Sequence, residues 1–310
     1  MILGGDLGGT KTLLALAEID GERWRIVRQQ RYASREFPSF DDLLGEFLRD
    51  APPIRRACFG LAGPTDGQSA QLTYLPWQLS ASALQTRFKL AKVTLINDFA
   101  AAANGLDWVN VDEMLSLHAG RPIARAPRVI LGAGTGLGVA GLIWQDGAYR
   151  VIPGEGGHFG FSPQTPRQAE LWRALCERKG RVTVEDIVSG PGLSTIFGHF
   201  SGRPQEPEKI AQDALSGRDP LARQALELWL ECYGAFAGDL ALLWLARGGV
   251  YLSGGIAGKL LPQIDATPLL SAYLAKREHA ALVADMPLSV LTAEDLGLRG
   301  ALACAATSTS

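Results

Sequence analysis

The 310-residue chain has no lysine or arginine run longer than a pair, and its 30 basic residues are offset by 32 acidic ones. A nucleic acid or a membrane surface is held by a basic excess that neutralises phosphates, so neither is an expected partner. Cysteine is scarce: Cys58, Cys176, Cys232 and Cys304 lie far apart and form no CxxC pair. Thiols so spaced read as reduced and mostly buried residues of a cytoplasmic chain. His118, His158, His199 and His279 are equally dispersed, which leaves no zinc cluster in the spacing. A signal peptide is lacking too, because Asp6 and four glycines interrupt the N-terminus by residue 9. The most apolar stretch, Gly234 to Tyr251, carries Asp239 and Arg247 and reads as a buried helix running into a strand, not a membrane span. What remains is ordinary globular material, 47% hydrophobic and 20% charged, with length enough for two compact lobes.

An internal echo organises the chain. Residues 2–21 (ILGGDLGGTKTLLALAEIDG) and 130–147 (ILGAGTGLGVAGLIWQDG) each pass from apolar residues through a glycine-rich turn into an apolar strand. Each then reaches an Asp-Gly pair, Asp20-Gly21 or Asp146-Gly147, which favours a hairpin because both residue types tolerate positive φ. Third strands are expected at Trp24–Gln29 and Tyr149–Ile152. Two related lobes follow, each opening on a three-stranded antiparallel meander. Elsewhere strands are expected at 56–61, 93–96, 249–253 and 288–291. Helices are expected at 39–50, 100–106, 167–179, 184–188, 207–215, 220–245 and 298–306. The pattern is that of an α/β protein with mixed sheets flanked by helices and a cleft between the lobes. Only the last four residues read as a disordered tail.

Three glycine clusters suit phosphate or nucleoside binding. In Gly4-Gly5-Asp6-Leu7-Gly8-Gly9-Thr10-Lys11, residues without Cβ let backbone N–H groups approach a phosphate, and the Thr10 hydroxyl adds a donor. Asp6, the one acid there, is placed to hold Mg²⁺ through water. This is not a Walker A loop, which is GxxxxGK[ST] leading into a helix. Gly132 to Gly138, with Gly134-Thr135-Gly136 at its centre, is the matching turn of the second half. Gly254-Gly255, after an apolar strand, permits close approach by a flat adenine–ribose unit. Taken singly, each cluster is equally readable as a hairpin or strand-to-helix turn without a ligand.

Polar residues in glycine-rich or apolar settings supply the other half of a site. Asp98, after the buried strand ending Leu95-Ile96-Asn97, is readable as a helix cap or as a base accepting the proton of an attacking hydroxyl. Asn97 both donates and accepts hydrogen bonds to neighbouring hydroxyls. Glu155 and His158, within Pro153-Gly154-Glu155-Gly156-Gly157-His158, suit vicinal hydroxyls of a pyranose. Glu185, at the start of the expected 184–188 helix, is either a sugar ligand or a carboxylate complementing the helix dipole.

Together these segments resemble the bacterial glucokinase family, of the actin-like sugar-kinase superfamily with duplicated ribonuclease-H-like lobes. The motifs run nearly end to end: GGDLGGTK, LINDFAAAANG, LGAGTGLGVAGL, PGEGGHFGF, VEDIVSGPGL, LSGGI and GLRGALACAA. The resemblance implies a small lobe of residues 1–107 completed by 297–310, and a large lobe of 108–296. It implies ATP-dependent phosphorylation of glucose with Asp98 as the catalytic base and Asn97, Asp98, Glu155, His158 and Glu185 on the sugar. Gly5, Asp6, Leu7, Gly8, Gly9 and Thr10 with Gly134, Thr135 and Gly136 would bracket the ATP phosphates, and Gly254-Gly255 would lie near the nucleoside. Mg²⁺ and a cytoplasmic homodimer complete the expectation. Zinc-carrying relatives have a cysteine cluster after the GGH segment; none follows here, so no structural zinc is expected. Tyr74 stands in Thr73-Tyr74-Leu75-Pro76-Trp77 where family members often carry asparagine. The rivals are a kinase for fructose, mannose or an amino sugar, and a non-catalytic sugar sensor. A regulator on this scaffold would carry a DNA-binding segment ahead of the glycine turn, which here starts at residue 4.

Overall fold

A computed structural model gives the fold and describes residues 1–21, 23–73 and 75–307. Tyr74, singled out above, and residues 308–310 of the expected tail lie outside the described residues, while Thr307 ends the C-terminal helix. The chain divides into two compact units, Met1–Val109 with Asp295–Ser310, and Asn110–Glu294.

In the first unit, β1 (Ile2–Leu7), β2 (Lys11–Asp20) and β3 (Arg23–Ala33) form an antiparallel meander. β4 (Arg56–Leu61) follows, then a separate hairpin of β5 (Ser69–Gln71) and β6 (Gln78–Ser80), then β7 (Lys92–Asn97). The sheet order is β3-β2-β1-β4-β7, with β1, β4 and β7 parallel. Both faces of the inner strands are covered, which is why β2 reads as an unbroken apolar run. Leu14 and Leu16 pack with Phe40, Leu43 and Phe47 of α1 (Phe40–Phe47) and Leu84 of α2 (Ala81–Phe88). Leu13, Ala15 and Ala17 pack on the opposite side with Leu298, Ala301 and Leu302 of the C-terminal helix (Leu296–Thr307). The Cys58 and Cys304 thiols meet across that second layer, although 246 residues of sequence do not announce it; the hydrogen bond with Cys304, and then burial, push the Cys58 thiol up.

Small residues let helices sit close to this sheet. A Cβ at Gly60 would lie 2.6 Å from the Ala101 side chain in α3 (Asp98–Asn104), and one at Gly300 would overlap the Ala101 carbonyl. These contacts hold the start of α3 against β4 and against the C-terminal helix.

The second unit repeats the plan. β8 (Met114–His118) precedes a second antiparallel meander of β9 (Arg128–Ala133), β10 (Leu137–Gln145) and β11 (Ala148–Gly154). Asp146 and Gly147, with φ of 52° and 84°, make the two-residue β10–β11 turn foreseen from their types. The helices α4 (Pro166–Lys179), α5 (Gly190–Ser201), α6 (Pro207–Leu215) and α7 (Pro220–Trp244) lead to β12 (Gly249–Ser253). Then come α8 (Gly254–Leu260), α9 (Thr267–Leu274), α10 (Ala280–Ala284) and β13 (Leu288–Leu291). The order is β11-β10-β9-β12-β13-β8, so the first five strands match the first unit in order and direction. β8, antiparallel to β13, is the addition, and no strand is expected over its short run MLSLH.

Several expectations need correction: α1 ends at Phe47, not at residue 50, and the C-terminal helix begins at Leu296, two residues before the expected 298. α3 begins at Asp98, two residues before the expected start. Residues 184–188 form a single turn, not a helix: Val188 N–H donates to Val184 O at 2.7 Å, and the Asp186 carboxylate accepts from Thr183 N–H at 2.8 Å and from its hydroxyl at 2.9 Å. That local carboxylate takes the N-terminal donor and stops the segment at one turn, and Ser189 then caps α5 afresh by accepting from Gly192 N–H at 3.0 Å. Among the described residues, no helix is long and apolar enough to cross a membrane.

Candidate active site

The turn between β1 and β2 is the first element of the site. Gly8 N–H donates to Lys11 O at 3.0 Å, so that donor is consumed in closing the hairpin. The N–H groups of Gly9 and Thr10 have no acceptor among the described residues, and Thr10 is exposed. Two successive open N–H groups are what an anionic oxygen needs. Gly5 has a different reason to be glycine, since a Cβ there would meet Phe59 at 2.6 Å and Leu14 at 2.8 Å within the sheet. Leu7 is core.

Ser34, which the sequence reading passed over, holds the turn in shape. It is fully buried; its hydroxyl donates to Gly8 O at 2.8 Å and meets the Thr12 hydroxyl at 2.9 Å. Ser34 N–H also donates to Thr10 O at 3.0 Å. Ser34→Ala leaves Gly8 O without this donor and the buried Thr12 hydroxyl without its partner, and is expected to cost about 1–3 kcal/mol in urea denaturation. ADP affinity should weaken with it, because the turn loses its tether; unchanged denaturation and ADP titrations would remove Ser34 from the site.

Carboxylates gather beside this turn. Asp6, half-buried in β1, has its pKa raised from 3.8 to about 6. Burial is the main cause, followed by the negative charge of Asp98; Lys11 opposes the shift, and Asp295 adds to it. Gly297 explains how the C-terminal helix reaches this carboxyl: a Cβ there would lie 3.0 Å from Asp6 Cγ. Asp295 is itself paired with Arg299 at 2.8 Å. Asp98 occupies the first position of α3, where its Oδ1 accepts from Phe99 N–H at 2.8 Å. The cap of that helix is Asn97, whose Oδ1 accepts from Phe99 N–H at 2.8 Å and Ala100 N–H at 3.3 Å. Asn97 and Asp98 thus share Phe99 N–H, and Asn97 has its amide nitrogen left for a ligand.

In the second unit the β9–β10 turn mirrors the first. Gly134 N–H donates to Gly136 O at 2.8 Å and Leu137 N–H to Glu185 Oε2 at 2.7 Å, while Thr135 and Gly136 N–H have no acceptor among the described residues. A Cβ at Gly134 would meet nothing within 4 Å, and the same holds for Gly255 at the start of α8. Protein packing does not demand glycine at either place. Gly254 is constrained differently, with φ of 92° and room for no Cβ beside Ala133 O.

The Glu155–His158 segment is a short 3-10 turn with both side chains exposed, closed by His158 N–H donating to Glu155 O at 3.0 Å. Gly156 and Gly157 pack against β10: a Cβ at Gly156 would be 2.9 Å from Val139, and one at Gly157 would overlap Leu137 O. Arg181, unnoticed in the sequence, donates to His158 O at 2.8 Å. Glu185 N–H donates to Gly157 O at 2.9 Å. Glu155, His158, Glu185 and the 134–138 turn are thus one connected piece. Gly190 N–H, donating to Gly134 O at 2.8 Å, adds the start of α5 to it.

A family model described as Glucokinase matches residues 3–308. The chain belongs to the glucokinase family. A curated glucokinase from a Nostoc species is 36% identical over 338 residues, covering 99% of each chain. The crystal structure of a glucokinase from an Antarctic psychrotroph superposes with a TM-score of 0.90 at 27% identity, covering 99% of both chains. That of a glucokinase from Balamuthia mandrillaris, in complex with glucose, superposes with a TM-score of 0.80 at 26% identity over 98% of this chain and 93% of that one. As a glucokinase-family member the chain is a phosphotransferase enzyme, and its mixed sheets flanked by helices are the actin-like sugar-kinase fold.

Proposed function

We propose that the chain transfers the γ-phosphoryl group of ATP to glucose, yielding glucose 6-phosphate. The observation that carries this reading is the pair of glycine turns, each with two successive N–H groups open and each next to carboxylates or hydroxyl-binding side chains. Gly9, Thr10, Thr135 and Gly136 take the phosphate oxygens, and Gly254-Gly255 lies near the nucleoside. The Asn97 amide, Asp98, Glu155, His158 and Glu185 hold the sugar hydroxyls. The units 1–109 with 295–310 and 110–294 are the small and large lobes.

Asp98 accepts the proton of the attacking hydroxyl. Its carboxylate is fixed by Phe99 N–H through Oδ1, and as the first residue of α3 its negative charge is complemented by the helix start. Phosphoryl transfer asks little more of a protein than this base, positioning and charge stabilisation. Mg²⁺ fits the surroundings of Asp6, a half-buried carboxyl whose pKa is raised to about 6 by burial and by the charges of Asp98 and Asp295, which a nearby cation would offset. Asp6 would hold it through water; when bound, the ion offsets the phosphate charge. The chain works in the cytoplasm as a homodimer.

A coupled assay over glucose, fructose, mannose and glucosamine at fixed Mg-ATP tests the reading. Glucose should give the highest kcat/KM, and chelating Mg²⁺ should abolish turnover. Higher kcat/KM on another hexose would replace glucose as the substrate, and absence of turnover on all four would remove the kinase assignment.

A further inference from the structure

Glu185 is built into the fold more firmly than a sugar ligand needs to be. Its backbone N–H donates to Gly157 O at 2.9 Å, and its Oε2 accepts from Leu137 N–H at 2.7 Å. One residue therefore ties the segment carrying Glu155 and His158 to the glycine turn at 134–138. The peptide joining Gly136 and Leu137 is gripped at both ends: its carbonyl accepts from Gly134 N–H at 2.8 Å, and its N–H donates to the Glu185 carboxylate. Fixing that peptide leaves the preceding N–H groups, those of Thr135 and Gly136, as the open pair. Gly136 is glycine for the same reason, because a Cβ there would lie 2.6 Å from Glu185 Oε2.

We infer that Glu185 is a positioning residue for the phosphate-binding turn, and that its carboxylate couples sugar occupancy to nucleotide occupancy. The inference rests on the proposed assignment of the 134–136 turn to phosphate and of Glu185 to sugar. Oε2 is committed to Leu137, and Oε1 remains for a sugar hydroxyl. A sugar drawing on Oε1 pulls on a group whose other oxygen sets the shape of the turn. Nucleotide binding, which orders the turn, in turn fixes the carboxylate for the sugar. The coupling is reciprocal by thermodynamic necessity.

A purely sugar-binding Glu185 predicts no change in nucleotide binding when sugar is absent, and this separates the two roles. Isothermal titration of ADP into sugar-free protein is the measurement, on wild type, Glu185→Ala and Glu185→Gln. Glu185→Ala should weaken ADP binding by roughly tenfold, the scale of one lost charge-assisted hydrogen bond partly replaced by water. Glu185→Gln keeps an acceptor for Leu137 N–H and should retain ADP affinity within about threefold, while still weakening glucose. Wild-type ADP affinity in Glu185→Ala overturns the inference. Should Glu185→Ala fail to fold, Gly136→Ala gives the converse test: its methyl group presses on Oε2, so glucose affinity in nucleotide-free protein should fall several-fold. Unchanged glucose affinity there also overturns the inference. Loss of ADP affinity in a protein that phosphorylates no hexose would leave the positioning role standing and sink the glucose reading instead.

Discussion

Asp98→Asn is expected to lower kcat by roughly 10²–10⁴, the contribution of a positioned general base, while fold and glucose affinity persist. The fold should persist because the α3 cap belongs to Asn97, which accepts from Phe99 and Ala100 N–H. Asparagine at 98 still offers an oxygen to Phe99 N–H and an acceptor to a sugar hydroxyl, so stability should change by less than about 1 kcal/mol. What it cannot do is take a proton. A second readout does not depend on turnover. The Asp98 charge is the second cause of the raised Asp6 pKa, so the Asp6 titration near pH 6 should move toward more acidic values in the variant. Carbonyl-carbon NMR of labelled aspartate would follow it directly. Unchanged kcat would return Asp98 to a local structural role. A displaced Asp6 titration with unchanged kcat would make Asp6, poised near neutral pH, the better candidate for the base.

The sequence carried the repeat, the glycine turns and most helix and strand positions because each depends on neighbours within a few residues. Glycine spacing and Asp146-Gly147 are local facts, and the β10–β11 turn followed from them. What stayed hidden is either turn geometry that residue types do not report or a pairing between distant partners. Gly8 and Gly134 look like donors to a phosphate, yet their N–H groups close their own turns, and the open donors are the following residues. Ser34 lies 26 residues from Gly8, and Leu137 lies 48 from Glu185; neither pairing leaves a periodic trace. The 184–188 segment failed differently. Its apolar spacing suits a helix, but Thr183 and Asp186 satisfy the backbone in a turn, and side-chain competition of that kind is invisible to hydrophobic pattern.

Asp6→Asn should make the ligand-free protein more stable at pH 8 while lowering activity by roughly 10², the scale seen when one preorganised electrostatic group is removed. The stability gain follows from the titration. Below pH 3.8, the ordinary value of the carboxyl, Asp6 is neutral whether the chain is folded or unfolded, and the site carries no charge cost. Between there and about 6, the folded chain holds the proton more tightly than the unfolded one, so stability falls as pH rises. Above about 6 the carboxylate is charged in both states, and the whole cost of burying its charge, beside Asp98 and Asp295, is present. The interval corresponds to at most about 3 kcal/mol, at roughly 1.4 kcal/mol per pH unit. Asparagine removes the charge and with it the slope. Carboxylates such as Asp186, whose pKa is lowered by Lys179 and by Thr183, act in the opposite sense and lose their contribution as pH falls. The informative quantity is therefore the difference between variant and wild type in urea denaturation from pH 4 to pH 8. It should grow from near zero to about 1–3 kcal/mol in favour of Asp6→Asn. Mg²⁺ with ADP should narrow that difference, because a cation beside the wild-type carboxylate offsets the charge that the variant lacks. A variant less stable than wild type at pH 8 would mean that Asp6 is held by interactions stronger than the repulsion around it, and that its pKa is not raised by the fold.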